Sequence, residues 1–242
     1  MTGEGRGSRL VVAAAVLGAA VVLGAVVFGA FFYQARTRSE TIQVVGSASE
    51  RFTSDVAKWR VTLARQVPDG GLSDGYERIR GDLDRFLERL TAAGIDRAAI
   101  SVQPVNAQPQ WGPNGREGYN LVQGLYVVSQ DPDRLEELAL NPGALLEGGV
   151  ALEASQLEYY YSRIADLKHA LLSRATEDAR ARAAEIASGS QNGSLGRMVS
   201  ARAGVFQITE PYSTEVAAYG IHSTSTREKE ISVTVHATFR AD

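Results

Sequence analysis

The sequence predicts an α+β fold: mainly antiparallel sheet with helices packed on one face, preceded by one N-terminal transmembrane helix. Three observations carry this reading. One charge-free run, Leu10 to Tyr33, opens the chain. Several later stretches alternate apolar and polar residues with the period of two that half-buried strands show, and others space apolar residues three and four apart, as helices do. Read in order they give β-β-α-β-β-α-β-α-β-β, which lacks the steady βαβ alternation of a parallel sheet.

The N-terminal run is rich in Ala, Val, Leu and Gly. Its roughly 24 residues rise about 1.5 Å each, enough to cross a hydrocarbon core of about 30 Å with some tilt. A cleaved secretory signal is the alternative, but its apolar region runs only about 7–15 residues. Cleavage after Ala30 would also put Phe28 in a small-residue slot. An uncleaved signal anchor is therefore expected over residues 10–33, between a short tail (1–9) and a polar linker (34–40), with one α+β domain over 41–242. Arg6 and Arg9 precede the span and Arg36 and Arg38 follow it, so the charge count alone does not orient it. The short tail with its free amine favours tail inside and domain outside. Small residues four apart (Ala14/Gly18, Ala20/Gly24, Ala25/Gly29) would permit close helix pairing, though an Ala- and Gly-rich run produces such matches by chance.

Composition limits the chemistry. The chain has 242 residues, a formal net charge of −3 and no cysteine. That excludes disulfides, thiolate metal sites and a cysteine nucleophile. No basic face is long enough to suggest a nucleic-acid partner. Only Lys58, Lys168 and Lys229 are lysines among 25 basic residues, a bias that speaks to codon composition.

Each element follows from its own pattern. "TIQVVGSASERF" puts Ile42, Val44, Gly46 and Ala48 on one face, with Gly46 read as a bulge. "VAKWRVTLARQV" does the same with Ala57, Trp59, Val61 and Leu63, so the two read as antiparallel strands joined around Arg51 to Asp55. "VPDGGLSDG" breaks the chain, and Ser73 or Asp74 is expected to cap a helix carrying Tyr76, Ile79, Leu83, Phe86/Leu87 and Leu90. Gly94 stops it. "AISVQPVNAQPQW" and "GYNLVQGLYVVSQ" flank a Gly/Pro/Asn hairpin; Pro104 and Pro109 place the first at an edge or a bulge. A short helix over Asp133 to Leu140 and a strand in "GVALEASQLEYYYS" follow.

The longest soluble helix begins near Arg163, with a stripe of Ile164, Leu167, Leu171, Ala175, Ala179, Ala183 and Ile186. Arg174, Asp178 and Arg182, four apart, are expected to pair along it. "GRMVSARAGVFQIT" and "KEISVTVHATFRA" read as the last two strands, joined by the long stretch "EPYSTEVAAYGIHSTSTRE".

These residues resemble the SIMPL-domain family, once described as a domain of unknown function. The likeness rests on the opening strand pair, on "GYNLVQGLYVVSQDPDRLEEL", on the Ala-rich helix and on the "LG" restarting the chain as a strand. It spans roughly Thr41 to Phe239 and is nearest a membrane-anchored subgroup with "EYYYS.IADLK" and "GVFQIT..YSTEV..YG". The longer helix exit "SGSQNGSLG" and the absence of a proline before the second strand depart from the pattern, both in turns. The resemblance implies an α+β domain in the bacterial envelope, extracytoplasmic and tethered to the cytoplasmic membrane. It also implies homo-oligomers and a scaffolding or stress-protective role. It carries over no catalytic residue.

Nothing in the pattern converges on an active site. His169 reads as a helix surface position and His236 as part of the polar face of the last strand; no metal-ligand spacing joins them to His222. "GSQNGSLG" follows a helix and precedes a strand, the wrong polarity for a phosphate loop. No G-x-S-x-G elbow occurs. The expectation is therefore a non-enzymatic protein without cofactor or metal. The alternatives are a binding module for a small molecule or envelope polymer, using Trp111 or Tyr159, Tyr160 and Tyr161, or an undetected hydrolase. The long connection, with Tyr212, Val216, Tyr219 and His222, is the candidate interaction loop. It is open to three readings: a flap packed by Tyr212, Val216 and Tyr219, a loop ordered only on a neighbouring subunit, or a mobile tip.

Overall fold

The computed structural model describes residues 4–36, 41–146, 151–190 and 193–241. They fall into two compact units: the described residues of Met1–Val44, Ala181–Ala201 and Ala237–Asp242, and those of Val45–Arg180 and Arg202–His236. The first unit contains helix α1 (Glu4–Arg36). Its segment Val12–Phe32 is long and apolar enough to cross a membrane, and side chains such as Leu17 and Phe28 stand exposed along it. The expected tail is helical from Glu4, and the expected linker begins inside the helix; its residues 37–40 lie outside the described residues.

Strands β1 (Thr41–Thr53) and β2 (Val56–Pro68) do not pair with each other, contrary to the sequence expectation. β2 joins a four-stranded antiparallel sheet in the order β3-β4-β2-β5, with β3 at Ile100–Gly112, β4 at Gly115–Ser129 and β5 at Ala151–Tyr160. β1 joins a second sheet in the order β1-β9-β7-β8, where β9 is Glu228–Ala241, β7 Gln207–Thr209 and β8 Ile221–His222. β6 (Leu195–Ala203) also pairs with β9. The expected single strand "GRMVSARAGVFQIT" is thus interrupted after Ala203, and β8, unforeseen, runs parallel to β7. Alternation reports which face of a strand is buried, not which strand lies beside it, so two alternating strands in sequence look like a hairpin even where the chain changes sheets.

The four-stranded sheet buries Trp59, Val61, Leu63, Leu125 and Val127 against Leu83, Phe86 and Leu90 of α2 (Leu72–Ala92) and Leu135 of α3 (Pro132–Leu140). Trp59 lies 6.1 Å from Phe86, ring centre to ring centre, and its indole N–H donates to Ser155 Oγ at 2.8 Å. The N-cap of α2 is Gly71, without a side-chain cap, so Ser73 and Asp74 lie inside the helix; Tyr76 is exposed rather than part of the stripe. Gly94 takes a φ of +90° just past its end. β3 is an edge strand, and its register with β4 shifts between Val102 and Val105, around Pro104. The proline therefore sits both at an edge and at an irregularity, where a missing N–H costs least.

Helix α4 (Ile164–Gly189) buries Leu167, Leu171, Ala175, Ala179, Ala183 and Ala187, while Ile186 is exposed. The stripe continues four residues beyond Ala183, not three. The small side chains have a reason: β1 crosses α4 at backbone distance. A Cβ on Gly46 would lie 2.2 Å from the Ala175 carbonyl oxygen and 2.4 Å from the Ala179 nitrogen. Gly46, expected as a bulge, is explained by this contact. Beside it Ser47 N–H donates to Asp178 at 2.8 Å, and Arg174 pairs with Glu50 of β1 rather than serving only its own helix.

Gly46→Ala is therefore expected to lower stability by about 1–3 kcal/mol, the range for overpacking a closed contact. Gly81→Ala, on α2 with only the Arg85 side chain near, should raise it by about 0.5–1 kcal/mol. Thermal unfolding of both variants checks the contrast.

Candidate functional site

The long connection between β7 and β9 is built on polar anchors. Gln207 is buried on β7, and its amide holds the backbone of Ala217 at both ends: Nε2 donates to the Ala217 carbonyl at 2.8 Å and Oε1 accepts from its N–H at 3.4 Å. At the loop's foot Glu210 accepts hydrogen bonds from Ser223 Oγ and Ser225 Oγ, each at 2.5 Å. These bonds hold its carboxyl down at about 2. Tyr212 has a φ of +66°, the only described non-glycine residue with positive φ. Gly220, with a φ of +85°, turns the chain into β8.

The aromatic and aliphatic tips point away from these anchors. Tyr212, Val216 and Tyr219 are 82%, 81% and 99% exposed. A flap packed by these three is therefore not what forms; the loop is held by Gln207 and Glu210 while its apolar side chains face outward. The Arg51 guanidinium sits 4.1 Å from the Tyr212 ring centre. His222 pairs in β8 with Ile208, and its ring meets Tyr160 edge-on at 6.5 Å.

Trp111 and the Tyr159–Tyr161 run, the two aromatic candidates, stand apart. Trp111 is 71% exposed beside the β3–β4 turn, opposite Arg116. Tyr159 is buried opposite Ala57, at the other end of β2 from the Pro68–Gly118 pair. Those ends lie roughly 35 Å apart at about 3.3 Å per residue. Burial, then Glu136, pushes the Tyr159 hydroxyl up; burial, then its bond to Glu158, does the same for Tyr160. Tyr161 instead packs on Phe52 at 5.0 Å.

Composition gave no hint of where the three lysines would lie. Lys58 reaches Glu158 at 3.6 Å, and Glu158 accepts from the Tyr160 hydroxyl at 3.0 Å. Lys168 lies 5.3 Å from the Phe206 ring centre. Lys229 is buried and donates to the Thr226 carbonyl. Burial pushes the Lys229 ammonium down, against the pull of Glu210. His222 is pushed down by burial and then by Lys168 and Lys229. The signal was available as the rarity of lysine in an arginine-rich chain, but nothing local in the sequence connects positions 58, 168 and 229.

Beside the loop lies an open groove of about 700 Å³. Ser232, Thr234 and His236 of β9 lie along it, with Arg202 at β6 and the aliphatic side chains of Val205 and Val216. His236 is exposed on the polar face of β9, as its alternation predicts, while Ile231, Val233, Val235, Ala237 and Phe239 are buried. Sequence reasoning did not find this groove, because it depends on where the loop returns over the sheet.

The family model of SIMPL, a protein of unknown function (DUF541), matches residues 42–239. The chain belongs to the SIMPL family. No curated protein matches it.

Within this SIMPL domain Glu210 and its two serines form a closed hydrogen-bonded group. Among the described residues no three His, Cys, Asp or Glu side chains could hold a metal ion. Ser223 and Ser225 spend their hydroxyl protons on Glu210, and a carboxylate held near 2 is a weak base for activating either. Two opposite pH dependences follow. Glu210 binds its proton less readily than in the unfolded chain, so its contribution is complete above its ordinary 4.5 and is lost as pH falls towards 2. Lys229 also holds its proton less tightly when folded, so stability should rise as pH climbs through its depressed value towards 10.5. Urea unfolding across pH checks both: Ser223→Ala/Ser225→Ala should shrink the acid-side loss, and Lys229→Met should flatten the alkaline rise.

Proposed function

We propose that this SIMPL protein is a non-enzymatic, self-associating domain tethered to the bacterial cytoplasmic membrane. Its bulk lies outside the cytoplasm, and its role in the envelope is scaffolding or stress protection. The tether reading is supported by Val12–Phe32, whose exposed apolar helix needs a hydrocarbon surround. The observation that carries self-association is the loop: Tyr212, Val216 and Tyr219 are held outward by polar anchors. Tyrosine is enriched among interface anchors because it covers much area at small entropic cost. A non-enzymatic role is supported by the weak basicity of Glu210 and the tied hydroxyls beside it.

The mass of the full chain in detergent tests the association. A multiple of 25.9 kDa is expected for the protein component. Tyr212→Ser/Tyr219→Ser should weaken assembly by about a thousandfold if each tyrosine contributes about 2 kcal/mol. An unchanged assembly mass in the double variant would remove the loop from the interface. Protease digestion of the domain only after cell lysis would reverse the topology.

A further inference from the structure

We propose that the groove beside the loop is a binding site for small aliphatic carboxylates. This goes beyond self-association: it shares Val216 with the loop but does not use the exposed tyrosines. The volume, about 700 Å³, lies within the roughly 300–1,000 Å³ of small-molecule sites. Its two sides differ in chemistry. Val205, 44% exposed, and Val216 offer an aliphatic wall facing open space. Ser232, Thr234, His236 and Arg202 offer hydroxyl, imidazole and guanidinium donors.

The charge pattern selects the headgroup. No lining residue is acidic, and the only groove residues able to carry positive charge are Arg202 and His236. Among the described residues neither of these side chains has a hydrogen-bond or ion-pair partner. The arginine pairs elsewhere, from Arg51–Glu230 to Arg227–Asp133, take their carboxylates from within the chain. A planar guanidinium without a carboxylate presents a fork that fits one supplied from outside. One guanidinium and one imidazole match a single carboxylate better than a doubly charged phosphate.

The floor is shaped for a ligand that lies flat. A Cβ on Gly204 would come 2.7 Å from Thr234 Oγ1, so glycine keeps the sheet surface low where β6 gives way to β7. The opposite wall is fixed, because Gln207 holds Ala217 by both amide ends. An aliphatic body against Val205 and Val216, with its carboxylate at Arg202, would pair that charge and cover part of the apolar wall.

Hexanoate is the probe, titrated against the full chain in zwitterionic lipid nanodiscs and followed by saturation-transfer NMR, with empty nanodiscs as the blank. Binding above the blank is expected, with Kd raised about tenfold or more in Arg202→Gln, the loss of one charge-assisted bond. Val205→Glu should weaken it similarly, and 1-hexanol should bind at least about tenfold more weakly than hexanoate. Unchanged melting temperatures in both variants keep the comparison to the site. A signal no larger than the blank, an unaltered Kd in Arg202→Gln, or equal binding of 1-hexanol would overturn the proposal. Tyr212→Ser/Tyr219→Ser should leave hexanoate binding intact, so failure of this site and failure of self-association read out separately.

Discussion

Two residues, Ser54 and Asp55, carry the chain from one sheet to the other, and much of the larger unit depends on that corner. Ser54 N–H donates to the Arg227 carbonyl at 2.9 Å, next to β9, and Asp55 N–H donates to the Tyr160 carbonyl at 3.1 Å, at the end of β5. The Asp55 carboxylate then accepts from Ser162 N–H at 2.7 Å and from Ser162 Oγ at 2.5 Å, just before α4 begins. Burial alone would push this carboxyl up, but the Ser162 bonds outweigh it and hold it below its ordinary value. Ser162 lies two residues before the helix, so these bonds tie down the turn that leads into it. One two-residue link thus fixes the ends of two strands and the start of the longest soluble helix.

The corner also sets the direction in which α4 leaves, and α4 must then pass β1 at backbone distance. Gly46, Ala175 and Ala179 are one solution to one problem: no side chain larger than a methyl fits where strand and helix meet. With one face of β9 buried, the second sheet presents its polar face outward, where Ser232, Thr234 and His236 alternate with Ile231, Val233 and Val235. The loop from Glu210 to Gly220 returns over part of that face and leaves the rest as a groove. Loop, groove and helix contact are consequences of the same path.

What the sequence disclosed and what it withheld divide along physical lines. Periodicity named nearly every element, because burying one face forces Val, Ile, Leu and Trp into a period of two or 3.6. Pro104 announced both an edge and an irregularity, since an absent N–H is tolerated only there. Partnership was not legible: β1 and β2 alternate alike, and only contacts far along the chain assign them to different sheets. Ile186 against Ala187 was a choice of spacing that a helix turn of 3.6 leaves open and packing closes. The loop's residues were found, but not what holds them. Its anchors are an amide on β7 and a carboxylate bound to hydroxyls more than ten residues away, neither of which leaves a periodic trace.

That division bears on function. Residues that hold the loop are polar and inward, while residues that could meet another molecule are apolar and outward, the reverse of a loop that stabilises itself. A loop ordered by its own packing would bury Tyr212 and Tyr219 and pay its conformational entropy with apolar area. Here Gln207 and Glu210 order the backbone instead, so the aromatic rings remain available and already positioned. Ordering beforehand removes part of the entropic cost of association. The same anchors fix one wall of the groove, where Arg202 has no carboxylate partner among the described residues. Gln207 from β7 and Glu210 at the loop's foot thus hold still the surface on which the loop's exposed side chains and the groove both lie.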